Sequence, residues 1–75
     1  MPDRIEQTIK RLRSGEYLAE VTVELRFHDG KEYSPTLSLN DALKVERVRK
    51  ALDRGDIPAA ASEARLYRLT PVTAA

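Results

Sequence analysis

Cysteine and tryptophan are absent from these 75 residues, histidine occurs once, and the aromatic side chains are one phenylalanine and three tyrosines. Without cysteine there is neither a disulfide framework nor a thiolate metal site, in a chain near the lower size limit for an unaided core. Such a chain draws its stability from packing alone or from a partner subunit. A lone histidine beside carboxylates interleaved with basic residues does not supply converging metal ligands, so no cofactor is expected. No apolar run approaches the roughly 20 residues of a membrane-spanning helix. The opening MPDRIEQTIKRLR has no apolar centre of the signal-peptide kind, and a cytoplasmic protein is the expectation. An excess of charge of one sign is also missing: 13 basic against 12 acidic residues leave a formal charge of +1. That balance argues against tight nonspecific binding to nucleic acid, which needs several net phosphate contacts.

What is present is alternation. In residues 17–27, Tyr17, Ala19, Val21, Val23, Leu25 and Phe27 share one parity, while Leu18, Glu20, Thr22, Glu24 and Arg26 share the other. Side chains alternate across a strand, so this is a long strand with one buried face and one wet face, paired on both sides. Residues 2–13 precede it. Ile5, Ile9 and Leu12 fall at helical spacing, Pro2 and Asp3 suit a first turn, Lys10, Arg11 and Arg13 suit a last turn, and Gly15 suits the residue just past the end. An N-terminal helix is therefore predicted there.

Asp29-Gly30 signals a tight hairpin, and residues 32–37 make the returning strand, placed at an edge or bulged by Pro35. Ser38 followed by Asp41 gives an aspartate version of the capping box, opening a helix that runs to about Arg54 and stops at Gly55. Val45, Val48 and Leu52, with Ala42 beside them, form its sheet-facing stripe. Asp56 and Pro58 open one further helical turn. Residues 64–70 form the last strand, with Leu66, Tyr67 and Leu69 available for burial, and 71–75 a loose tail. The predicted fold is a single α+β domain in the order helix, hairpin, helix, strand. Its three-stranded, mainly antiparallel sheet has order 2-1-3, the long strand central and the helices on one face.

Little in this frame supports chemistry. His28 sits at a hairpin tip where nothing positions a substrate, and the serines have no visible base. Asp29-Gly30-Lys31 lacks the glycine spacing of a phosphate loop. No catalytic residue is assigned, and an enzyme is not expected. The patterned feature is a basic arc on the longer helix, Lys44, Arg47, Lys50 and Arg54, at three- and four-residue spacing largely opposite the apolar stripe. Those four are the candidate partner-binding residues. Leu39 and Leu43 lie away from the stripe and are the candidate contacts of a homodimer, with the first helix or a sheet edge as the alternatives.

The segments LSLNDALK (37–44), VRKALDRGD (48–56) and LTPV (69–72), with GEYLAEVTVEL (15–25) before them, resemble a group of short bacterial proteins. In that group they occur as a helix start, a helix end and a chain finish. The resemblance implies an antitoxin-like member of a two-gene module, partnered by a co-encoded small protein. The expected function is a small, dimeric, non-catalytic protein-binding module. The alternative is a nucleic-acid-binding regulator using the basic face, and a third reading is an enzyme subunit completed by a partner.

Overall fold

A computed structural model describes residues 4–28 and 31–73. In chain order they form β1 (Arg4–Ser14), β2 (Tyr17–His28), β3 (Lys31–Leu37), α1 (Leu39–Asp53), α2 (Ile57–Ala61) and β4 (Arg65–Arg68). The alternating stretch is β2, and every other strand pairs with it antiparallel. Its odd-numbered residues Ala19, Val21 and Val23 are buried beneath Val45, Val48, Ala51 and Leu52 of α1 and Ala60 of α2. Among the described residues, helices lie on one face of the sheet only.

The N-terminal helix predicted over residues 2–13 is not formed. Within the described residues that segment is β1, in unbroken register with β2 from Arg4 opposite Phe27 to Ser14 opposite Tyr17. Ile5 and Ile9 share a strand face as readily as a helix face, because four residues is an even step. Leu12 falls on the other parity and alone joins the core, opposite Ala19. Gly15 takes φ +57° as the first of the two residues between β1 and β2. That is the glycine position of a type II′ hairpin turn, and a helix end asks for the same left-handed glycine.

The three-stranded 2-1-3 sheet is likewise replaced, by four strands with β1 along one side of β2 and both β3 and β4 on the other. β4 covers the Tyr17–Glu20 half of β2, and β3 covers its far half. Beside β3 the ladder is irregular between Arg26 and His28, opposite the stretch carrying Pro35, which has no N–H to give. Asp29-Gly30, read as the turn of this hairpin, lies outside the described residues, as do Pro2 and Asp3.

α1 begins and ends by local hydrogen bonds. Ser38 Oγ accepts from the Asp41 N–H at 3.1 Å. At the other end Gly55, at φ +75°, donates to the Leu52 carbonyl and Asp56 to the Ala51 carbonyl, the paired bonds of a Schellman motif. Asp56 then accepts from the Ala59 N–H and opens α2. Ala42, placed beside the buried stripe by its helical angle, is exposed, and Ala51 takes the buried position instead. No helix among the described residues is long and apolar enough to cross a membrane.

The Cα radius of gyration is 15.4 Å, against about 11 Å for a compact chain of this length. The excess comes from the long β1–β2 ribbon. Arg4, Glu6, Thr8 and Lys10 lie on the helix side of the sheet, yet all four are exposed, so the helices cover β2 and leave this part of β1 open. The opposite face of the sheet carries Ile5, Ile9, Thr22, Glu24 and Arg26 in the open.

Candidate functional site

Between the β4-paired and β3-paired halves of β2, residues 21–24 have no strand on that side. Their backbone groups are met by side chains of α1. The Glu24 N–H donates to Asp41 Oδ2 at 2.8 Å, and Lys44 Nζ donates to the Thr22 carbonyl at 2.6 Å. Asp41 and Lys44, one helical turn apart and 3.8 Å from each other, thus substitute for a missing rung of the sheet. Asp41 does not complete the capping box that its spacing from Ser38 predicts; its carboxylate is turned to β2 instead.

Lys44, counted in the basic arc, is therefore engaged with the sheet. Arg47 holds Glu63 through Nε and Nη2, the shortest contact being 2.6 Å. Arg54 Nη2 lies 3.3 Å from Asp56. Lys50 has no ion-pair partner among the described residues, and its side chain is exposed beside the α1–α2 groove. So the four arc residues do share one side of α1, but three of their heads are already met by groups of the same chain. Leu39 and Leu43 are 73% and 47% exposed and lie outside the buried core.

The Arg47–Glu63 pair ties α1 to the residues after α2. Hydrogen bonds from Arg47 hold the Glu63 carboxyl below its usual range, assisted by the positive charges of Arg47 and Lys44. The same bonds raise the Arg47 guanidinium. A depressed carboxyl stabilises the fold above its unfolded value and loses that contribution as pH falls through its folded value. The pair is exposed to solvent, so the contribution is small. Thermal melts should show Glu63→Gln slightly below the parent at neutral pH, the gap closing once the pH drops under the carboxylate range. A gap that stays constant into acid would remove this pair from the account.

His28 ends β2, and its Nε2 lies 3.0 Å from Thr36 Oγ1. No group of three or more His, Asp or Glu among the described residues is placed to hold a metal ion.

The feature that sequence reasoning missed is the outer edge of β1. The Thr22 carbonyl and the Glu24 N–H point away from β1, so even-numbered residues of β2 turn their backbone groups to the β3/β4 side and odd-numbered ones to β1. Val21 and Val23 stand opposite Lys10 and Thr8. Even-numbered residues of β1 therefore bond β2, and the N–H and C=O groups of Ile5, Gln7, Ile9, Arg11 and Arg13 face outward. No strand among the described residues pairs with them. β1 is 11 residues long, without proline or glycine and without a bulge in its pairing to β2. Proteins usually shorten, bend, cover or charge such an edge; β1 is charged along its length by Arg4, Glu6, Lys10, Arg11 and Arg13, so those charges select what can pair with it.

No family model matches this chain, and neither does any curated protein or any solved structure. The resemblance to antitoxin-like proteins gains no support from these comparisons.

Proposed function

We propose that this chain is a small, non-catalytic protein-binding module that engages partners through the outer edge of β1 and the open sheet face beside it. The observation that carries this reading is the long, regular and unpaired edge, whose outward N–H and C=O groups are the recognition chemistry of an added strand. Ile5 and Ile9, both exposed and both on the open face along that edge, add apolar surface to the backbone contacts.

The nucleic-acid reading has less to stand on. Arg47 and Arg54 already bind carboxylates, Lys44 is drawn to the sheet, and the open face carries Glu20 and Glu24 among its cations. Titration of labelled random duplex with the full chain at physiological salt separates the two. No submicromolar binding is expected, and none of the steep salt dependence that phosphate contacts produce. Submicromolar binding that Arg47→Glu with Lys50→Glu abolishes would make the basic arc the functional surface and overturn the proposal.

A further inference from the structure

The β1 edge is its own complement. Glu6 and Lys10 stand two residues either side of Thr8, on the same strand face. Two copies of β1 laid antiparallel about an axis at Thr8 bring Glu6 of each opposite Lys10 of the other. One interface then contains two opposite-charge cross-strand pairs. Gln7 stands opposite Ile9 of the second copy and Ile5 opposite Arg11, all through outward-facing backbone groups, so each exchanges both hydrogen bonds. On the open face Ile5 and Ile9 of both copies fall on adjacent diagonals and shield one another.

Neighbouring registers are worse. An axis at Gln7 sets Arg4 against Lys10 twice, axes at Glu6 and Lys10 set each of those residues against itself, and an axis at Ile9 forms no Glu6–Lys10 pair, leaving them opposite Leu12 and Thr8; the Thr8 register forms that pair twice and places Arg4 opposite Leu12 only at the end of the pairing. Like charges directly opposite are destabilising. Lys10 is exposed and has no ion-pair partner among the described residues, and Glu6 is bridged only by the exposed Arg4 of its own strand, at 3.0 Å.

From this pattern we infer that the partner of the β1 edge is a second copy of this chain, in an antiparallel register centred on Thr8 with reciprocal Glu6–Lys10 pairs. The result is one continuous eight-stranded sheet with a two-fold axis through its middle. This inference rests on reading the edge as a protein-binding surface, and it fails separately from that reading, because a monomer would exclude the second copy without producing duplex binding.

Sedimentation equilibrium of the full chain at high micromolar concentration tests it. The wild type is expected to be a dimer. Glu6→Lys and Lys10→Glu each turn two attractive pairs into two repulsive ones and should weaken self-association about tenfold or more. An equimolar mixture of the two variants restores opposite charges at both positions, and so does Glu6→Lys combined with Lys10→Glu; both should dimerise again. Circular dichroism verifies that each variant is folded. Gln7→Pro removes one outward N–H and no bond to β2, so it should leave a folded monomer. A monomeric wild type, single variants that dimerise like the parent, a mixture that stays monomeric, or a folded Gln7→Pro dimer would each overturn the inference.

Discussion

Replacing Val23 with Asp is expected to abolish the cooperative thermal melt. Val23 is 1% exposed at the middle of β2, flanked on its face by Val21 and Leu25 and covered by α1. An ionised carboxylate there has no partner to compensate its lost hydration, and the cost is several kcal/mol. A domain of this size has a total stability of about the same magnitude. The control lies one residue away. Thr22 is exposed on the open face, and Thr22→Asp, a hydrated carboxylate beside Glu20 and Glu24 in place of a strand-favouring residue, should cost about 1 kcal/mol and leave the cooperative melt intact. Chemical denaturation of both variants measures the contrast. Equal midpoints would mean that the odd parity of β2 does not line the core.

Asp41→Ala carries the second large effect, although Asp41 lies at a helix start and not in the core. Its carboxylate accepts from the Glu24 N–H in the slot that neither β3 nor β4 reaches, and it neighbours Lys44. Removing it leaves a backbone donor without its acceptor and strips Lys44 of its companion, a loss of about 1.5–3 kcal/mol for a charge-assisted bond. Ser38→Ala, which deletes only the N-cap acceptor for the Asp41 N–H, should cost about 1 kcal/mol. Asp41→Asn keeps an oxygen acceptor and should fall between Asp41→Ala and the parent. Urea unfolding of the three variants establishes the order. If Asp41→Ala lies within a few tenths of the parent, the slot is satisfied in another way.

The elements defined by short-range chemistry were legible in the residues. Alternation from Tyr17 onward identifies β2, Ser38 and Gly55 bracket α1, and Asp56 opens α2. The N-terminal segment was misread because its signals are degenerate. Ile5 and Ile9 satisfy both periods, Lys, Arg, Glu and Gln favour a helix in isolation, and Gly15 ends a helix or turns a hairpin with the same positive φ. Pairing with β2 decides the outcome, and pairing is a property of two segments at once. The error spread to the site. A helix over residues 2–13 leaves β2 without β1 as a neighbour and leaves no β1 edge, so the basic arc becomes the most patterned surface. The arc's spacing on α1 was legible, but not that Glu63, Asp56 and the Thr22 carbonyl occupy three of its four heads, since those partners come from other elements.

Amide hydrogen exchange along β1, followed by NMR at low and high protein concentration, tests the claim that its outer edge binds a strand. In the dilute protein, protection should alternate, with the Glu6, Thr8, Lys10 and Leu12 amides slow because they bond β2 and the Ile5, Gln7, Ile9 and Arg11 amides fast because they face water. At high concentration the second set should become slow as well, while the first changes little. If those four outward amides exchange equally fast at every concentration, the edge is not an interface between copies of this chain.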